Sequence, residues 1–312
     1  MSVVAKSDRM MRLLRRATRR FPAITVVLLT AVLVLVAFLH RGIEVTELDV
    51  DDGGIWVAKG ADLSLGHLNY DALTFDGFVS TPSAQVALGQ DGRTVTIGDE
   101  TTHSVASVDV AAMKLGGAST VPEGSRVVQG ASTIAVLDSL AGYLWVGEAN
   151  RPDAIKYEDT SAIADGLADG IVTVSTGGTV FAYAPQYATL TTVTRAGSTW
   201  STTKATLSGM SVGDDLSITA VGDKPVIYDA TTNTLVLPGG RTRALDADGV
   251  APGAVLQMPG SASSSVLLAT PDSLVSVPLN GSAPTVTPAQ EGTSISGTPA
   301  PPAFHQGCAY GA

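Results

Sequence analysis

DETTHSVASV at residues 99–108 and DATTNTLVLP at residues 229–238 share one plan: an Asp, a short polar run with two Thr, then a stretch rich in Val, Leu and Ser. The plan suits a strand end, a tight turn and a returning strand. The two copies start 130 residues apart, or three units of about 43. A second pair is GIWVAKGADLSLGHLN (54–69) and GYLWVGEANRPDAIKY (142–157). Each reads as Gly, a Trp-bearing strand, a small polar turn and a further strand. Trp56 and Trp145 lie 89 residues apart, which suits two such units, so they are expected at equivalent positions two units apart. Weaker copies are VFAYAPQYATLTTV from Val180 and VLLATPDSLVSV from Val266. Anchored on the turn after each strand, the series runs near 59, 99, 148, 184, 229 and 270. A four-stranded propeller blade takes roughly 40–50 residues.

The exported-looking part of the chain carries β signals throughout. Short apolar runs occur at 54–58, 94–97, 132–137, 170–174 and 264–268. Asp-Gly pairs at 52, 76, 91, 165, 169 and 248, with Asn280-Gly281, favour the left-handed conformers of tight turns. No helical apolar period extends past two turns after residue 43. A small twisted sheet cannot bury both faces alone, but neighbours in a ring can cover them. The expected fold is therefore all-β, a β-propeller of about six to seven blades spanning residues 43–280. A Pro/Ser/Thr/Gly-rich segment (281–303) follows. Residues 304–312 then begin a further strand, so the propeller is expected to be incomplete at that end. Cys308 is the single cysteine, which excludes a disulfide-stapled scaffold.

Charge divides the chain. Residues 1–20 hold seven Lys and Arg against one acid, a net of +6, so the other 292 residues carry −16 of the total −10. Residues 23–39, AITVVLLTAVLVLVAFL, have no charge, and twelve of the 17 are Leu, Ile, Val or Phe. As a helix they would extend about 26 Å, close to a hydrocarbon core of about 30 Å. The run is longer than a secretory h-region and lacks a small-residue cleavage site. Residues 21–40, with Ala23, Leu28, Leu33 and Leu39 among the anchoring side chains, are thus expected to be an uncleaved transmembrane signal anchor. The basic flank places residues 1–20 in the cytoplasm and the bulk of the chain outside, at the cell membrane. Only 15% of residues are charged and 45% are apolar, which excludes a disordered chain. The acidic balance argues against a nucleic-acid partner.

Signals for chemistry are few. Adjacent acids at Asp51-Asp52, Asp99-Glu100, Glu158-Asp159 and Asp214-Asp215 sit beside turn residues. Asp246-Ala247-Asp248-Gly249 resembles half a calcium loop but lacks the distal Glu. His67, His103 and His305 are far from any triad-like arrangement, and the chain has no nucleophile elbow or phosphate loop. No catalytic, cofactor or metal residues are assigned. Asn150, Arg151 and Asp153, in the tetrapeptide Asn-Arg-Pro-Asp, are the candidate ligand face, and a capped turn fits the same residues.

The basic N-terminus, the single anchor, DDGGIWVAKGADLSLGHLNY, LWVGEANRPDAIKY and the final GCAYGA together resemble one family. Its members are membrane-anchored bacterial proteins of the high-GC Gram-positive type. They carry an N-terminal propeller-like region ahead of fibronectin type III or immunoglobulin-like repeats. A non-catalytic binding or scaffold protein of the cell envelope, with a protein or cell-wall glycan as partner, needs no catalytic constellation and so fits the sparse chemical signals. Two alternatives stay open. One is a propeller lyase or polysaccharide-acting glycosidase, because LWVGEAN resembles a unit of antibiotic-lyase propellers. The other is an envelope sensor working through a short cytoplasmic docking peptide.

Overall fold

The computed structural model describes residues 54–207, 215–289, 299–305 and 308–311. The basic segment, the apolar run with Ala23, Leu28, Leu33 and Leu39, and the acids Asp51, Asp52 and Asp214 lie outside the described residues. Among the described residues no helix is long and apolar enough to cross a membrane. They are all-β, with 3-10 turns as the helical element.

Successive antiparallel meanders make up the described chain. The first sheet holds Ile55–Lys59, Ser64–Asn69 and Thr74–Ser80. The second holds Val86–Asp91, Thr94–Asp99, Ser104–Asp109 and Lys114–Thr120. The third has Arg126–Gly130, Thr133–Asp138 and Tyr143–Glu148. The fourth runs Ile171–Val174, Val180–Ala184, Thr189–Ala196 and Thr199–Thr206. The fifth is Leu216–Val221, Lys224–Asp229, Thr234–Leu237 and Arg241–Ala244. The sixth is Val255–Leu256, Ser265–Ala269, Ser273–Pro278 and Thr285–Pro288, its outer strand drawn from the Pro/Ser/Thr/Gly-rich stretch. A hairpin of Ala303–His305 and Cys308–Tyr310 follows.

One turn recurs between the second and third strands of the second, third and fifth sheets. Asp99 ends its strand, its Oδ1 accepts the Thr101 and Thr102 N–H groups at 2.9 and 3.0 Å, and His103 takes φ 47°. Asp229 repeats this with Thr231, Thr232 and Asn233 at φ 48°. Asp138 does so with Leu140, Ala141 and Gly142 at φ 80°. The carboxylate holds two turn N–H groups, and the left-handed residue reverses the chain. After the outer strands of the second, fourth and fifth sheets the backbone ties to the left-handed turn residue, His103, Ala188 or Asn233. The Val121 N–H donates to His103 O, Leu207 to Ala188 O and Leu245 to Asn233 O, at 2.8, 2.7 and 2.9 Å. Thr81 donates to Leu63 O at 2.8 Å, and Leu63 has φ 48°. Ile55–Lys59 is therefore the counterpart of the second strand elsewhere.

This frame corrects two expectations. The anchors near 59, 99, 184, 229 and 270 fall at the ends of second strands, but the third sheet's anchor is Asp138 rather than 148. Trp56 lies on a second strand and Trp145 on a third, so they are not equivalent. The first-sheet counterpart of Trp145, three residues after the left-handed turn residue, is Gly66. A third expectation also fails. Asp76-Gly77 lies inside Thr74–Ser80 opposite a bulge at His67/Leu68, and forms no turn.

Apolar side chains pack between neighbouring sheets, one cluster per interface. Trp56, Leu65, Val95 and Ile97 join the first two sheets, and Val105, Ile134, Val136 and Trp145 join the second and third. Similar clusters join the third to the fourth, the fourth to the fifth and the fifth to the sixth. From the second sheet to the sixth, the first strands touch one another in order. Gln90 fastens the second sheet to the first, and Gln129 the third to the second. Gln90 Nε2 donates to Gly54 O at 2.8 Å, and its Oε1 accepts the Trp56 N–H at 2.9 Å. Gln129 Nε2 donates to Thr94 O at 2.8 Å, and its Oε1 accepts the Thr96 hydroxyl at 2.6 Å. Gly130 has no room for a side chain, since a Cβ there would lie 2.3 Å from Ser175 O.

Candidate ligand groove

The third sheet lacks a regular fourth strand. Residues 149–170 occupy its outer edge and meet it through a Leu144–Ala164 bridge. The segment is held at several points. Ala149 N–H donates to Ser132 O at 2.8 Å, Ile163 N–H to Leu144 O at 2.8 Å and Leu144 N–H to Ala164 O at 2.9 Å. Pro152 starts the 3-10 turn Pro152–Ala154, where its fixed φ suits a first helical position. Trp145, 1% exposed, donates its indole N–H to Glu158 O at 3.0 Å and meets Tyr157 edge-on at 5.7 Å. Burial, reinforced by the Asp153 charge, pushes the Tyr157 phenol well above its ordinary range.

A groove of about 460 Å³ runs between this segment and the hairpin of Thr189–Ala196 and Thr199–Thr206. Trp145, Glu148, Arg151, Lys156, Arg195 and Trp200 are among its lining residues. Arg195 and Trp200 are register partners, which brings the guanidinium carbon to 5.6 Å from the indole centroid. Arg195 Nη2 reaches Glu148 Oε1 at 2.5 Å and its Nε donates to Gly197 O at 3.0 Å. Both partners of this ion pair are about 40% exposed, so it adds little stability and mainly fixes the Arg195 geometry. Eleven Lys and Arg follow residue 53, and three of them line this one groove. Two cationic heads beside an aromatic face suit an anion attached to a flat apolar surface.

Of the predicted ligand face, Arg151 lines the groove; Asn150 and Asp153 are exposed and do not. Asp153 turns toward the second sheet, its carboxyl carbon 2.9 Å from where a Gly117 Cβ would stand. Sequence reading missed Glu148, Lys156, Arg195 and Trp200. The Arg-Ala-Gly-Ser-Thr-Trp run at 195–200 was the available signal, since its Gly197 turn sets Arg195 opposite Trp200.

The other candidates have structural duties. His67 is buried and its Nδ1 lies 2.5 Å from Asp76 Oδ1. His103 is the left-handed turn residue described above. Asp248 pairs with Arg243 at 2.6 and 2.8 Å. Among the described residues no group of three His, Cys, Asp or Glu is placed to hold a metal. A second cavity of about 790 Å³ follows the first strands, with Gln90, Asp91, Gln129, Thr173, Asp215 and Gln257 on its wall. Gln90 and Gln129 are committed there to the sheet contacts described above.

No protein-family model and no curated protein matches the chain. Solved structures do. The chain matches "Dihydro-heme d1 dehydrogenase NirN in complex with DHE" with TM-score 0.57 and 13% identity, over 84% of its own length. It spans only 58% of that protein's chain. It matches "Streptogramin B lyase structure" with TM-score 0.56 and 14% identity, over 84% of this chain and 87% of that one. The β-propeller domain of Cps50 (Swd1) from "Myceliophteria_thermophila" matches with TM-score 0.49 and 8% identity, over 78% of this chain and 83% of that one. The fold is propeller-like. At these identities the likeness concerns fold alone.

Proposed function

We propose that this chain is a non-catalytic binding module of the cell envelope, anchored by residues 21–40. In this reading the propeller-like region lies outside the membrane and holds a carboxylate-bearing cell-wall glycan in the groove between the third and fourth sheets. One observation carries the reading. In a region with a strong net negative charge, Arg151, Lys156 and Arg195 converge beside Trp200. The Trp200 ring takes the apolar face of a sugar, and Arg151 and Lys156 take its carboxylates. Arg195, tied to Glu148, holds the ring in place. Anchoring rests on the uncharged run at 23–39 and its basic flank.

The test compares binding of the purified full chain to polygalacturonate and to neutral dextran. The acidic polymer should bind, more weakly as salt rises. The Arg151→Ala/Lys156→Ala double variant should lose roughly tenfold or more in affinity without losing stability. Equal binding to both polymers, or an unaffected double variant, refutes the groove. Protease added to intact spheroplasts should degrade the region beyond residue 43; its protection refutes the topology.

A further inference from the structure

The cavity of about 790 Å³ that follows the first strands draws its wall from five sheets, the second to the sixth. Small-molecule pockets span roughly 300–1,000 Å³, so the space suits such a ligand. Much of the wall is apolar. Val128, Ile218 and Val255 keep part of their surface open there, and Met258 is exposed. Several of the polar side chains are committed elsewhere. Gln90 and Gln129 hold neighbouring sheets, and the Thr96 hydroxyl donates to Gln129 Oε1. Gln257 Oε1 accepts the Leu267 N–H at 2.8 Å, and Asp91 Oδ2 accepts the Ala131 N–H at 2.7 Å.

Thr173 is buried and uncommitted. Val172 and Val174 turn into the cluster shared with the third sheet, so Thr173 between them points to the other side of its strand. It is 4% exposed and lines this cavity. Its hydroxyl has no hydrogen-bond partner among the described residues, and unlike Thr219 Oγ1 it is not sealed from water. A hydroxyl opening onto an apolar cavity calls for a partner inside it. The charged residues on the described wall are Asp91 and Asp215, with no Lys, Arg or His, so an anion is disfavoured. We propose that the cavity binds a small uncharged apolar molecule bearing a carbonyl. The Thr173 hydroxyl donates to that carbonyl, and the apolar wall covers the rest. The groove at Trp200 shares no lining residue with this cavity, and the site does not depend on it.

The probes are 2-acetylnaphthalene and 2-naphthoate, which share a ring system and a carbonyl oxygen and differ in charge. Calorimetric titration of the purified full chain should detect the ketone, with the carboxylate roughly tenfold weaker or worse. Thr173→Val keeps the side-chain shape and loses the hydroxyl, so it should bind the ketone roughly two- to tenfold more weakly at an unchanged or slightly higher melting temperature. Met258→Trp fills the cavity from an exposed position and should remove most of the binding, so its difference from the parent isolates the signal of this site. The Arg151→Ala/Lys156→Ala variant of the groove should bind the ketone like the parent. No binding of the ketone, equal binding of the two probes, undiminished binding by Thr173→Val or Met258→Trp, or loss of binding in the groove variant would each overturn the proposal.

Discussion

The second and third sheets begin alike and end differently. Both open with a two-residue hairpin turn, and both end the second strand with a turn-capping Asp, Asp99 or Asp138. Both then reverse through a left-handed residue, His103 or Gly142. The second sheet goes on to a regular fourth strand, Lys114–Thr120. In the third that edge falls to residues 149–170, which contribute two 3-10 turns and one bridge. A regular outer strand uses its polar backbone in the ladder and alternates its side chains. An irregular segment frees consecutive side chains to face one way, and here Arg151 and Lys156 reach the groove. Repetition builds the wall, and the break in repetition furnishes the site.

The largest expected effect comes from removing what holds that break in place. Trp145→Ala should cost about 3–5 kcal/mol in chemical denaturation, since it empties a fully buried site. Trp145→Phe keeps most of the volume and loses the bond to Glu158 O, so it should cost about 1 kcal/mol plus the residual cavity. A cost near zero for the alanine variant would mean that residues 149–170 are not held by this core, and the contrast with the second sheet would lose its physical basis.

The two turn residues give the next test. A Cβ on Gly142 would stand 2.6 Å from the Ala168 backbone N, and φ is 80°. Gly142→Ala should therefore cost at least the roughly 1–2 kcal/mol of a left-handed L-residue, with the clash added. His103→Gly relieves a left-handed side chain while loosening the unfolded chain, so it should change stability by under about 1 kcal/mol. Equal effects would show that the third sheet's turn is not pressed against residues 167–170, as the contacts at Gly142 indicate.

The sequence made the repeated part readable and left the break half hidden. Asp99 and Asp229 could be matched because an Asp that caps a turn must stand at a fixed distance from the reversal. Trp56 and Trp145 could be mismatched because a Trp fills space on any strand of a stacked sheet, and its position carries no such constraint. Arg151 was readable because it sits beside a Pro-started turn. Its opposite wall was not, because Arg195 meets Glu148 across 47 residues and two sheets.

The smallest expected effect lies at the first sheet's own irregularity. Asp76-Gly77 has the letters of a turn, but the strand runs through it opposite a bulge, bringing Asp76 against the buried His67 ring. The hydrogen bond from His67, together with one from Asn69, holds the Asp76 carboxyl below its ordinary value against some desolvation. The sign follows from linkage. A carboxyl with a lowered folded-state pKa binds its proton less readily folded than unfolded, so its contribution is present above the usual Asp value near 3.9 and is lost as pH falls through the lowered one. Asp76 is solvent-accessible, so screening keeps the effect small. Asp76→Asn should therefore melt close to the parent in strong acid and somewhat lower near neutral pH, with the difference opening as pH rises through the acid range. Lys59, ion-paired to Asp62 on the surface of the same sheet, provides the control: Lys59→Met should show no comparable opening. A pH-independent difference at Asp76 would mean that the carboxylate acts there by packing alone, and that irregularities in this fold need not carry partnered charge.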